Sequence, residues 1–297
     1  MRSTVATGTQ IRRAAVPRPA QDGVEPDRDE DHLDAVVLIT DRGIQHTRNE
    51  DAGAAGTVAA APGTRAVAAV VCDGVSTSSE GQDAARAASA AGVDAMVSAL
   101  AASRDLTTVM MAGLTDAALA AANAGSGGDD SLPASSCTYT AAVVVSIGDE
   151  VHIAVANIGD SRVYWLPDSP AQPQRLTVDD TLAQDLISGG IPADSPVVER
   201  GAHTLTKWFG ADADQPLFDE SDVSTMTTAD SGVLLLCSDG LHNYLPEAAD
   251  IAQFVAGAAP TDAARALVDY AISAGGHDNI TVIVIPVGGS FVEPHGV

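Results

Sequence analysis

One lysine, Lys207, stands in 297 residues, and the fifteen basic residues face forty acidic ones. A net charge of -25 repels phosphate backbones and anionic lipid headgroups, which excludes nucleic acid and membrane surfaces as partners. The lone lysine lacks the glycines of a P-loop, so phosphoryl transfer from a nucleotide is disfavoured. No apolar run approaches the roughly 20 residues that cross a bilayer. The opening MRSTVATGTQIRRAA carries positive charge without an apolar h-region, so no signal peptide is expected. Cysteines number three, Cys72, Cys137 and Cys237, with no pair at zinc-finger spacing. Each borders an apolar stretch, which suits buried thiols in a reducing compartment, and a cytoplasmic location is expected.

What the chain does have is a hydrophobic content of 45 %, enough to fill a sizeable core. Residues 1–33 mix Pro, Gly, Asp and Arg without periodicity and read as a disordered arm; a folded domain is expected over 34–288, followed by a tail over 289–297. Strands are expected at 36–40, 66–72, 138–147, 151–157, 162–166, 232–237 and 280–287. Gly148-Asp149 and Gly159-Asp160 read as hairpin turns. Alanine-rich stretches at 80–103 and 106–123 predict two consecutive helices, and 261–273 a third. Strands in runs with helices in pairs between them predict an α+β fold of antiparallel sheets faced by helices. Residues 189–231 lack clear periodicity and read as a flap inserted over what the sheets expose.

Two apolar strands end alike, in VVCDGV at 70–75 and LLLCSDGL at 234–241. Asp-Gly after an apolar run is by itself only a turn signal. The pattern recurs, however: Glu50-Asp51 follow the first expected strand, Asp160 sits in a turn, and Asp278 precedes the last strand. Five acidic sites at sheet edges suggest convergence. Such a cluster repels itself unless hard cations sit within it, and an oxygen-only donor set favours magnesium or manganese over zinc. The seven histidines are scattered without paired metal-ligand spacing.

HTRNED, CDGVS, SCTYTAAVV, ANIGDSRVYW, LTVDDT, CSDGL and GHDNITVIVI occur in an order that resembles the metal-dependent PP2C (PPM) protein Ser/Thr phosphatases of bacterial type, over about residues 34–287. The resemblance implies an αββα sandwich of two antiparallel sheets with a two-metal centre, holding Mn²⁺ or Mg²⁺, at one end. It implies Asp73 as the carboxylate shared by both ions, with the Gly74 carbonyl, Asp239 and Asp278 completing their shells. By the same resemblance Glu50 and Asp51 hold metal-bound waters, Asn279 supports the shell, and Asp160 corresponds to a third, weaker site. The magnitudes agree. Hydrolysis of a phosphate monoester needs rate factors of up to ~10²¹, on the order of 28 kcal/mol, and hydrogen bonds at roughly 1.5–3 kcal/mol each fall far short. Thiol catalysis is excluded separately: it requires an arginine six residues past the cysteine, where this chain has Ser78, Val143 and Asn243.

Three departures from the family pattern stand out. Where many relatives carry a phosphate-binding arginine, this chain has His46, with Arg48 two residues on; either could take the role. Ser76 and Thr77 follow Asp73-Gly74 where relatives usually have glycines, and no histidine stands there to protonate the leaving group. Asn243 replaces an acid, which implies a third metal site that is weak or absent. The expected activity is Mn²⁺- or Mg²⁺-dependent hydrolysis of phosphoserine and phosphothreonine by a monomeric enzyme, on protein targets of Ser/Thr kinases. Two alternatives are a small-molecule phosphate-ester hydrolase and a non-catalytic scaffold that keeps the fold.

Overall fold

A computed structural model of the chain describes residues 9–18, 26–61, 64–75, 81–124, 134–213 and 218–288. The chain opens with strands β1 (Gln10–Val16), β2 (Arg28–Leu33), β3 (Val36–Asp41), β4 (Ala52–Ala61) and β5 (Thr64–Cys72), then helices α1 (Gly81–Ala101) and α2 (Leu106–Ala124). It continues through β6 (Ser136–Cys137), β7 (Tyr139–Ile147), β8 (Glu150–Ile158), β9 (Arg162–Pro167) and β10 (Gln174–Arg175). Helices α3 (Leu182–Ser188) and α4 (Pro196–Arg200) precede β11 (Phe209–Gly210), β12 (Val223–Thr228) and β13 (Gly232–Cys237). Last come α5 (Asp239–His242), α6 (Ala248–Val255), α7 (Pro260–Ala274) and β14 (Ile280–Val287).

Two six-stranded antiparallel sheets stack face to face, in the orders β1-β4-β5-β7-β8-β12 and β10-β9-β13-β14-β3-β2. Both central strands of each sheet are buried on both faces, which is why they read as continuous apolar runs. On β5, Ala66, Ala68, Val70 and Cys72 face α1 and α2, while Val67, Ala69 and Val71 face the second sheet. On β13, Leu234 and Leu236 pack between the sheets, while Val233, Leu235 and Cys237 face α6 and α7. Three apolar layers therefore separate four layers of secondary structure, and the expected αββα sandwich is what the chain forms. All three cysteines are free and buried.

Small residues set the spacing of the first helical layer. A side chain at Gly56 of β4 would come within 2.5 Å of Val97, so this glycine lets α1 lie directly on the strand. Gly92 of α1 and Gly113 of α2 form the slot that receives the Tyr139 ring, and a methyl at Gly92 would collide with the phenol. Gly92→Ala is expected to destabilise the fold by about 1–3 kcal/mol through overpacking. A lower urea midpoint with an unchanged slope is the signature to look for.

The domain boundaries differ from expectation. Residues 1–33 were expected to be a disordered arm, yet β1 pairs with β4 and β2 pairs with β3, each as an edge strand. Their composition hides them: β2 reads RDEDHL, and its charges are satisfied laterally, by Arg28 with Asp41 at 2.7 Å and by Glu30 with Arg265 at 2.8 Å. Charge on an edge strand discourages pairing with other chains, and it also erases the hydrophobic signal. The alanine- and glycine-rich β4 is likewise absent from the expected strands, because both residues have low strand propensity.

The expected flap at 189–231 is also partly regular. Its end, β12, is the edge strand of the first sheet against β8. Its middle is tied down where β11 pairs with β6 and Phe209 stacks on Tyr139 at 5.3 Å. What projects is shorter: α3 and α4, closed at the base by a bridge between Thr181 and Leu205. The Gly148-Asp149 turn joins neighbours β7 and β8 as expected. Gly159-Asp160 does not make a hairpin, since β8 lies in the first sheet and β9 in the second. The Ser76 and Thr77 loop and the 289–297 tail lie outside the described residues.

Candidate functional site

Antiparallel pairing explains why distant acids meet. Ala52 at the start of β4 pairs with Cys72 at the end of β5, which puts Asp51 beside Asp73. Cys237 at the end of β13 pairs with Val282 near the start of β14, which brings Asp239 toward Asp278. The Asp160 crossing from β8 to β9 lies at the same end of the sandwich, because Arg162 pairs with Cys237. Each sheet thus delivers acids to one edge of the interlayer core.

The backbone there is tightly held. The Asp73 N–H donates to Thr138 Oγ1 at 2.9 Å, and the Thr138 N–H returns a bond to the Asp73 carbonyl at 2.8 Å. A Cβ on Gly74 would fall 2.6 Å from the Glu50 carbonyl, so only glycine lets these two segments approach. Asn279 works as a clamp: its Oδ1 accepts the Glu50 N–H at 2.7 Å, and its Nδ2 donates to the carbonyls of Arg42 at 2.8 Å and Arg48 at 3.1 Å. Ser238 Oγ donates to Asp51 Oδ2 at 2.7 Å and joins the two halves of the cluster.

Electrostatics report the crowding. Asp73 keeps some contact with solvent, yet protein surrounds most of its carboxyl. Burial, followed by the charges of Asp51, Asp239, Asp160 and Asp278, holds it well above the usual carboxylate range. Burial likewise pushes Asp51 up to about 8, with Asp278 and Asp239 adding to the shift while the Ser238 hydroxyl opposes it. Asp160 is pushed to about 7 by burial and by Asp239 and Asp179. Asp239 rises to about 6 through burial and the charge of Asp278. Five of the acids singled out in the sequence therefore form one mutually repelling group.

The remaining expected site residues fall around it. Glu50 is buried and paired with Arg48 at 3.0 Å. His46 Nε2 lies 3.2 Å from Asp278 Oδ1. Asn243 Nδ2 donates to Asp239 Oδ2 at 3.2 Å. Beside Asp239 and Asp278 opens a cleft of about 500 Å³, which Asn243, Tyr244, His203 and His277 also line. Of these, His203, His277 and Tyr244 escaped the sequence reading. His277 sits next to Asp278 in a quoted motif, so adjacency could have marked it; nothing in the sequence marks His203.

Among the described residues, no three His, Cys, Asp or Glu side chains are drawn close enough to make a finished metal-binding set. Two features nevertheless fit a hard divalent ion. Among the described residues, Asp51 Oδ1 and Asp239 Oδ1 are buried without a hydrogen-bond partner, and the converging donors are oxygens.

An αββα sandwich with acids gathered at one end is the architecture of the PP2C-type phosphatases. The comparisons agree with it in sequence and in fold, although no family model matches the chain. The chain is 31 % identical over 144 residues to the serine/threonine phosphatase stp of Listeria innocua, covering 48 % of this chain and 55 % of that one. It thus spans about half the length of the curated relatives it matches. Among solved structures it is similar to the PPM Ser-Thr phosphatase MsPP of Mycobacterium smegmatis in complex with cacodylate. That match has 25 % identity and a TM-score of 0.59, covering 85 % of this chain and 98 % of MsPP. It is similar in fold to the catalytic domain of the serine/threonine phosphatase PstP in complex with two manganese ions, with 23 % identity and a TM-score of 0.58, covering 93 % and 98 % of the two chains.

Proposed function

We propose that the protein hydrolyses phosphoserine and phosphothreonine in other proteins with the help of two divalent cations. The observation that carries the reading is the group of five buried or half-buried carboxyls, two with unpartnered oxygens, at one end of the sandwich. Asp73 would be shared between the ions, with the Gly74 carbonyl, Asp239 and Asp278 completing their shells. Glu50 and Asp51 would hold the ions' waters, and Asp160 would belong to a third, weaker site. Manganese or magnesium bound there would supply the positive charge that activates water for attack and offsets the charge of the phosphoryl oxygens.

The chain's own residues would arrange everything else. Asn279 fixes the Glu50 backbone, and Ser238 fixes the Asp51 carboxylate and thereby the direction of its free oxygen. Arg48 is half exposed and, among the described residues, uses only Nε on Glu50, so its terminal nitrogens can receive a phosphate. His46, held by Asp278, is the weaker anchor of the two. The projecting α3 and α4 would select substrates, and the acidic surface would favour basic segments around the phosphorylated residue. A cytoplasmic monomer opposing Ser/Thr kinases fits this reading.

Turnover of p-nitrophenyl phosphate with Mn²⁺, with and without chelator, is the direct test, followed by phosphoserine peptides against small phosphate esters. Chelator-sensitive turnover of both p-nitrophenyl phosphate and the peptides is expected. Absence of any chelator-sensitive turnover would remove the hydrolase reading, and activity on small esters alone would remove the protein substrate.

A further inference from the structure

We infer that His203 is the proton donor to the departing seryl or threonyl oxygen, an inference that rests on the hydrolase reading above. A serine or threonine alkoxide is a poor leaving group, so cleavage needs a proton at the ester oxygen as the bond breaks. Asp239, Asp278 and His203 line the same cleft of about 500 Å³.

The other candidates around the cleft each contact a neighbouring side chain. His46 is held on Asp278 at 3.2 Å. The His277 backbone N–H donates to the Tyr244 hydroxyl at 3.0 Å, and the His277 ring packs edge to face on the Tyr244 ring at 6.1 Å, next to Asp278. Asn243 offers only an amide, already on Asp239. Among the described residues, the His203 side chain has no hydrogen bond or ion pair, and it is exposed to the cleft.

Its backbone, by contrast, is well anchored. The Thr204 N–H donates to the Gly201 carbonyl at 3.2 Å, which closes the turn that carries His203. The Leu182 N–H donates to the Thr204 carbonyl at 2.8 Å, and Leu205 bridges to Thr181. A fixed turn carrying an uncommitted imidazole is what a positioned donor requires.

The step balances without any further reagent. Attack by water forms one P–O bond while the P–O bond to the seryl oxygen breaks. The electron pair of the broken bond stays on that oxygen, which takes the proton from a ring nitrogen of His203. The attacking water releases its proton to solvent, and solvent returns one to the ring.

His203→Gln tests this with Mn²⁺ present, on p-nitrophenyl phosphate, phenyl phosphate and a phosphoserine peptide. The kcat loss is expected to grow with the basicity of the leaving group, and to be on the order of 100-fold greater for the peptide than for p-nitrophenyl phosphate. Added imidazole is expected to restore part of the peptide turnover in His203→Ala. An equal loss on all three substrates, no loss, or a change confined to KM would overturn the assignment. A wild-type protein inactive on all three overturns the hydrolase reading and takes this inference with it.

Discussion

Asp73→Asn is expected to lower kcat on phosphoserine peptides by on the order of 10³-fold while the fold stays intact or becomes more stable. Asparagine keeps the shape of the side chain and leaves the backbone exchange with Thr138 untouched. It removes one charge from the centre of a group in which Asp51, Asp239, Asp160 and Asp278 all act on that carboxyl. For binding a cation that charge is the largest single loss the site can suffer. For folding without the cation it is relief, because a buried carboxyl among like charges is costly. Opposite signs for activity and stability separate a functional role from a structural one. Urea unfolding and peptide turnover on the same preparation would measure both, and a variant within tenfold of wild type in kcat would dismiss Asp73 from the centre of the site.

The second large effect is thermal. Mn²⁺ at about 100 times its dissociation constant is expected to stabilise the protein by roughly 2.7 kcal/mol, raising Tm by about 5–10 °C. At a fixed Mn²⁺ concentration the gain should be larger at pH 8 than at pH 5. Asp239, Asp160 and Asp51 have folded values pushed to about 6, 7 and 8. Groups raised in this way hold protons in the folded chain that the unfolded chain has already released, so stability without the cation falls as pH climbs from the ordinary carboxylate range to about 8. At pH 5 the ion must displace those protons; at pH 8 it meets charged carboxylates and replaces repulsion with attraction. Differential scanning fluorimetry with Mn²⁺ and with chelator at both pH values reads this directly. An equal shift in Asp73→Asn/Asp239→Asn would place the ion elsewhere on this acidic surface.

How much of this was legible beforehand depended on the layer. Strands buried on both faces announced themselves as apolar runs: β13 and β14 lie where LLLC and ITVIVI predict them. Strands at sheet edges did not, because β2 is charged and β12 is a run of serine and threonine around one methionine. An edge strand draws its stability from one neighbour's backbone, and its side chains are chosen for solvent. The short helices α3 and α4 also went unread, since five to seven residues are too few to establish a period.

The acids of the site were legible because each is welded to a strand whose burial is itself legible: Asp73 and Asp239 follow central strands, and Asp278 precedes one. The sequence pattern alone therefore determined antiparallel sheets faced by helices and the oxygen-only character of the acidic cluster, while the αββα sandwich was implied by the family resemblance. Only the tertiary structure decided that Asn279 clamps the Glu50 segment, that Ser238 ties Asp51 to the opposite sheet, and that His203 reaches the cleft. Those contacts join residues up to 237 positions apart, and no local pattern encodes where a turn will land once two sheets have packed.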